Sequence, residues 1–152
     1  MPSVLFVCLG NICRSPTAEM VLRARRPEFT PVRSAGTSAV GGAIDARAAK
    51  TLEKAGIKTD RKFRSRQVEA ADFERYDLII AMDSHNLANL NEMRPEGSRA
   101  EVRLLLDFVP GMEGQDVPDP YYGPAQGFER VLDLIERGVQ GLTQAGESSR
   151  GP

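Results

Sequence analysis

The sequence predicts an α/β fold, a four-stranded parallel β-sheet covered by helices on both faces. Three observations predict it. The apolar runs at 4–7 (Val-Leu-Phe-Val) and 76–82 lack polar alternation, the pattern of strands buried on both faces. Each is followed by helix signals: a cap candidate and first-turn proline at Ser15-Pro16 after the first, and a cap at Asp83 or Ser84 with Leu87, Leu90 and Met93 on one face after the second. Connections between these segments are short, and right-handed crossovers fold such an alternation into one doubly covered sheet. A length of 152 residues suits one domain, expected over 1–145, with 146–152 a small, polar, flexible C-terminal tail.

In chain order, the run at 4–7 is the central strand. Ser15 is a cap candidate, Pro16 suits the first helical position and Glu19 puts an acid in the first turn, so a helix is expected to about Arg26. Pro27 and Pro31 bracket a connector, and 32–35 reads as a second strand ending at Gly36. Asp45 caps a second helix in which Ala48, Ala49, Leu52 and Ala55 share a stripe, with Gly56 just past its end. Residues 61–66 form a basic loop, most simply a solvated face. After the strand at 76–82, Asp83 or Ser84 caps a third helix with Leu87, Leu90 and Met93 inward, stopped by Pro95. A fourth strand is expected at about 102–108. A Gly/Pro/Asp loop then leads to a last helix carrying Phe128, Val131, Leu132, Ile135, Val139 and Leu142.

Charge and composition narrow the function. Twenty Lys and Arg against 21 Asp and Glu leave a formal net charge of −1, so no global field attracts nucleic acid or an anionic membrane, and any anion affinity is local. No run approaches a membrane span, and the N-terminus lacks the flank and apolar length of a signal peptide, so a cytoplasmic location is expected. The two cysteines, Cys8 and Cys13, are too few and too close to staple a secreted fold and read as reactive thiols. One His (His85) and no Cys-x-x-Cys argue against zinc, and no metal or other cofactor is expected.

The stretch Cys8-Leu9-Gly10-Asn11-Ile12-Cys13-Arg14-Ser15 joins the central strand to a helix start, where backbone N–H groups lack intrahelical partners. Gly10 and Asn11 accept positive φ, so successive amides can converge on one tetrahedral anion. The planar fork of Arg14 can bind two of its oxygens at once. Cys8 sits at the mouth of this positive concavity, which favours its thiolate, and the Ser15 hydroxyl is placed to donate to the sulfur. Cys-x5-Arg alone is weak; strand, permissive loop and helix together make it a candidate nucleophile in an oxyanion cradle. An acid for the leaving group is offered by Asp119, stiffened between Pro118 and Pro120, although an Asp-Pro turn is the simpler reading on composition alone.

These residues resemble the low-molecular-weight protein tyrosine phosphatases over nearly the whole chain. The resemblance rests on the segment 4–19, on Ser34-Ala35-Gly36-Thr37, Asp45-Ala46-Arg47 and Arg66-Gln67, on 76–83 with Asn86, and on Asp119-Pro120-Tyr121-Tyr122-Gly123. It implies a flavodoxin-like three-layer sandwich. It implies Cys8, Arg14 and Asp119 as catalytic residues, a phosphocysteine intermediate, and hydrolysis of phosphotyrosine and aryl phosphates without a metal. Leu9, Gly10, Asn11, Ile12, Cys13, Ser15, Val40 and Tyr121 become substrate-binding residues. Tyrosine-phosphorylated proteins become partners, inorganic phosphate a product and inhibitor, and Tyr121 and Tyr122 candidate phosphorylation sites.

Two departures bear on specificity and rigidity. The family usually carries an aromatic residue shortly after the Ser-Ala-Gly-Thr segment, and 38–43 has none; Phe63 stands where many members place a His that supports the loop asparagine. Cys13 is either a small buried residue or a trap that forms a disulfide with oxidised Cys8. Competing functions are arsenate reduction, for which a relay cysteine after Cys13 is missing, and protein-arginine phosphatase activity, where the place of Ile12 is typically Thr. A non-catalytic phosphate-binding module is the third.

Overall fold

The computed structural model describes residues 2–149, with side chains described through residue 145. Strand β1 (Val4–Cys8) is central, with β2 (Val32–Gly36) on one side, β3 (Leu78–Ala81) on the other and β4 (Glu101–Leu104) outside β3. All pairings are parallel, and the order β2-β1-β3-β4 is the flavodoxin-like one. The predicted α/β class and sheet are therefore observed.

Every β1 residue is buried, and alternate residues feed opposite faces. Val4, Phe6 and Cys8 join a core with helices α1 (Arg14–Arg25) and α5 (Gln126–Ser149), which also holds Leu52 of α2 (Ala46–Lys54). Leu5 and Val7 pack on the other face with Phe73 of α3 (Asp72–Arg75) and Leu90 of α4 (Ser84–Met93). Each fully buried Leu, Ile or Phe contributes about 1.5–3 kcal/mol. The alternation turns Cys8 toward α1.

Several expectations are corrected. Helix α1 begins at Arg14, with Cys13 at the cap position and no side-chain cap, so Ser15 lies inside the helix and Pro16 is its third residue. The Ser15 hydroxyl is spent on Cys8 and Asn11 instead of the helix backbone. Glu19 falls beyond the first turn and is buried. The α2 stripe is narrower than expected: Ala48 and Leu52 are buried, Ala49 is half-buried and Ala55 exposed. Helix α4 is capped by Asp83 in a capping box with Asn86.

The expected fourth strand pairs only through Leu104, and Leu105–Phe108 form a 3₁₀ turn. Leu104, Leu105 and Leu106 are buried in succession, which the two-residue alternation of a one-sided edge strand cannot provide. The turn lies close under α5: a Cβ at Gly141 would stand 2.0 Å from the Phe108 carbonyl oxygen. Helix α3 was not anticipated. Helix α5 continues through Ser149, into the segment expected as a tail; residues 150–152 lie outside those described.

Candidate active site

The loop from Cys8 to Ser15 leaves the carboxyl end of β1, where ligands bind in open parallel sheets. Its carbonyls are held by groups outside it. Thr37, Ser38 and Val40 donate backbone N–H bonds to Cys8, Leu9 and Gly10, Asp45 to Ile12, and Thr17 donates to Cys13 from both its amide and its hydroxyl. Among the described residues none accepts a hydrogen bond from the amides of residues 10–13, so these donors remain for a ligand. Asn11, at φ 57°, is the only described non-glycine residue with positive φ. Gly10 does not share it, contrary to expectation; Gly10 instead leaves Val40 Cγ1 3.7 Å from where a Cβ would stand. The close approach is made by Gly36, where a Cβ would lie 2.5 Å from the Leu9 carbonyl oxygen.

The Asn11 side chain is wholly buried and fully engaged: Nδ2 donates to Ser15 Oγ (2.8 Å) and Ser34 Oγ (3.0 Å), and Oδ1 accepts from the Arg66 amide (3.0 Å). With its oxygen receiving Asn11, Ser15 can turn its proton to Cys8 Sγ, 2.9 Å away. Phe63 makes no part of this support. It is buried in the core, and the Arg66 amide fills the acceptor site of Asn11.

Arg14 is almost fully buried. Its Nη1 donates to Asp83 Oδ2 at 2.6 Å and to the Val117 carbonyl at 2.9 Å, so one edge of the fork is anchored by protein. Nη2 stands 3.7 Å from Asp119 Oδ2. Asp119 is itself oriented by the Tyr121 amide on Oδ1 (3.1 Å).

Cys8, Leu9, Gly10, Asn11, Ile12, Cys13, Arg14, Val40, Asp119 and Tyr121 line one cavity of about 240 Å³, together with Tyr122. Ser15 lies beneath it, fully buried. Leu9, Val40, Tyr121 and Tyr122 are the exposed large apolar side chains among the described residues, and all four ring this mouth. Burial, then the nearby Asp45 and Asp119 carboxylates, pushes the Cys13 thiol up to about 12, so Cys13 stays protonated at neutral pH.

Two contributors were not read from the sequence. Asp83 was legible as a cap but not as the partner of Arg14. Arg47 entered the sequence reading only within the segment Asp45-Ala46-Arg47, with no role at the site. It donates from Nη1 to the Tyr121 carbonyl, and its guanidinium lies over the rings of Tyr121 (5.2 Å) and Phe128 (4.6 Å), tying the Asp119 loop to α2 and α5. Burial works against the charged form of Asp45, but the side chain and amide of Arg47 outweigh it and hold that carboxyl below its ordinary value.

Fold and loop together define a class: a parallel α/β domain that presents a cysteine inside a loop of unpaired backbone amides, with an aspartate of a second loop beside it. A sequence model described as low molecular weight phosphotyrosine protein phosphatase matches residues 3–149. The low molecular weight phosphotyrosine protein phosphatase of Schizosaccharomyces pombe is 45% identical over 142 residues, 88% of this chain and 90% of that protein. The crystal structure of a protein tyrosine phosphatase from Entamoeba histolytica, with Hepes in the active site, superposes with a TM-score of 0.89 at 36% identity, covering 99% of both chains. The tyrosine phosphatase Wzb from Escherichia coli K30, in complex with sulphate, superposes with a TM-score of 0.84 at 29% identity, covering 94% of this chain and 96% of that one. The chain belongs to the low molecular weight phosphotyrosine protein phosphatase family.

Proposed function

We propose that the chain is a cysteine-dependent protein-tyrosine phosphatase, acting on phosphotyrosine in proteins and on aryl phosphates through a phosphocysteine. The observation that carries this reading is the meeting of Cys8, Arg14 and Asp119 at one cavity, with Arg14 within 3.7 Å of Asp119. Cys8 Sγ attacks phosphorus as the bond to the phenolic oxygen breaks. The free amides of 10–13 and the unanchored edge of Arg14 hold the equatorial oxygens, and Asp119 gives its proton to the departing phenolate. Water then attacks the phosphocysteine, its proton goes to Asp119, and inorganic phosphate leaves. Ser15 stabilises the sulfur anion before attack and after release.

Val40, Leu9 and Tyr121 give the phosphotyrosine ring apolar walls, and the half-buried Ile12 favours an aryl phosphate over a phosphoguanidinium. Without an aromatic residue at 38–43 that grip is weaker than in the family pattern. The sulphate bound to the Escherichia coli relative supports a tetrahedral anion as ligand, and inorganic phosphate is expected to compete with substrate. No helix among the described residues is long and apolar enough to cross a membrane. The proposed location is the cytoplasm, where reducing conditions keep both cysteines as the free thiols seen here.

The test is turnover of p-nitrophenyl phosphate. Cys8→Ser abolishes it with the fold retained, Asp119→Ala slows it by about 10²–10⁴-fold, the range of general acid catalysis, and EDTA changes nothing. Substantial turnover by Cys8→Ser would refute the covalent route.

A further inference from the structure

A second groove, of about 530 Å³, lies beside the edge strand β2, apart from the catalytic cavity. Six cationic side chains line it against three acidic ones, in a chain whose net charge is −1. Each acid has a cationic neighbour: Arg23 is shared between Glu19 (2.7 Å) and Asp60 (3.1 Å), and Arg75 approaches Glu69 (3.6 Å). Arg66 is taken by Asp72 through two bonds of 3.0 Å. Arg33, Lys62 and Arg64 have no ion-pair partner among the described residues; Arg33 and Arg64 donate only to nearby backbone carbonyls. With Asp72 counted beside Arg66, six cations face four acids, so the groove keeps a surplus of two positive charges, presented by Arg33, Lys62 and Arg64 from β2 and the 61–66 loop, an arrangement that favours a compact anion with several charges over a single carboxylate.

Its floor is wired to the nucleophile. Glu19, 2% exposed, accepts the Ser34 hydroxyl at 2.6 Å, and Ser34 accepts from Asn11, which holds Ser15 against Cys8 Sγ. The wall makes a second connection, because Ser65 donates to the Gly10 carbonyl and the Arg66 amide to Asn11. An anion that draws Lys62 and Arg64 toward itself pulls on the 61–66 loop, which carries both of the wall's contacts. Displacing that loop shifts the Ser65 hydroxyl away from the Gly10 carbonyl and the Arg66 amide away from Asn11. Asn11 then loses part of its support, and with it the seating of Ser15 loosens.

We propose that this groove binds a small polyphosphate anion, with pyrophosphate as the smallest, and that its occupancy lowers turnover at Cys8. The coupling rests on the phosphatase reading; the binding does not. The test compares the wild-type chain with the double variant Arg33→Ser/Lys62→Ser, two exposed positions outside the catalytic machinery. With p-nitrophenyl phosphate varied against inorganic pyrophosphate, the wild type shows kcat lowered at least twofold as well as KM raised. The double variant, whose basal kcat matches wild type, shows only the raised KM, because the catalytic loop still takes the anion in competition with substrate. Titration calorimetry with pyrophosphate finds one more site per chain in the wild type than in the double variant. Purely competitive inhibition of the wild type, the same fall of kcat in the double variant, or equal site numbers overturns the proposal. Absence of basal turnover in both proteins refutes the phosphatase reading instead and leaves the site count to decide the groove.

Discussion

Asn11 is where backbone strain and side-chain hydrogen bonding can be separated by experiment. The residue holds φ 57° with no exposed surface and spends its amide on Ser15, Ser34 and the Arg66 amide. Asn11→Gly keeps the conformation and removes all three bonds. The Arg66 N–H then loses its acceptor, which costs about 1–3 kcal/mol for a buried donor, and two serine hydroxyls lose a donor while keeping other partners. The expected loss is roughly 2–3 kcal/mol of unfolding free energy in urea. Asn11→Ala adds a left-handed alanine, about 1–2 kcal/mol, partly offset by the greater freedom of glycine in the unfolded chain, for a further loss of roughly 0.5–1 kcal/mol. Both variants remove the donor that orients Ser15 toward Cys8, and kcat for p-nitrophenyl phosphate should fall about 10- to 100-fold, the equivalent of roughly 1.4–2.7 kcal/mol in the barrier. An Asn11→Ala protein as stable as Asn11→Gly refutes the strain argument. An Asn11→Gly protein within about 0.5 kcal/mol of wild type, inside the range of an ordinary surface change, refutes the hydrogen-bond argument.

Gly36→Ala drives a methyl group into the Leu9 carbonyl and should cost about 1–3 kcal/mol with a matching loss of turnover, read by urea unfolding and kinetics; a neutral outcome would mean the loop yields there. Asp83→Asn preserves an oxygen for the Asn86 amide but removes the charge facing Arg14, so kcat/KM should fall about 10²-fold, as misplacement of a positioning group does, with helix content by circular dichroism unchanged. At pH 8 iodoacetamide should label Cys8 well before Cys13, as peptide mass spectrometry would show. Peroxide should give a reversible Cys8–Cys13 disulfide that forms faster as pH rises, since the resolving thiol must ionise; sulfinic acid alone at Cys8 would defeat this. The folded state holds the Cys13 proton more tightly than the unfolded one, so this contribution to stability is full below pH 9 and lost toward pH 12; the alkaline loss should be smaller in Cys13→Ala.

What the sequence made legible is what neighbouring residues decide among themselves. The unbroken apolar run of β1 and the three-and-four spacing from Phe128 to Leu142 named their elements because burial on two faces, or along one stripe, leaves a periodic trace. The loop of 8–15 was legible for the same reason, since its chemistry is local to a strand end and a helix start. Ser15 misled: its type suits a cap, but tertiary demand from Cys8 and Asn11 outbid the backbone of α1. The run at 102–108 misled because one apolar stretch can serve a strand and then a 3₁₀ turn, depending on how closely α5 approaches. Asp83 and Arg14, 69 residues apart, show a further limit and also a way past it. No spacing rule connects them. Yet in a parallel sheet neighbouring strands end at the same edge, and β1 pairs with β3, so residues just beyond Cys8 and Ala81 must face one another. Once the strand order is known, an acid two positions after β3 is the natural place to seek the partner of an arginine in the loop after β1, and Asp83 stands there.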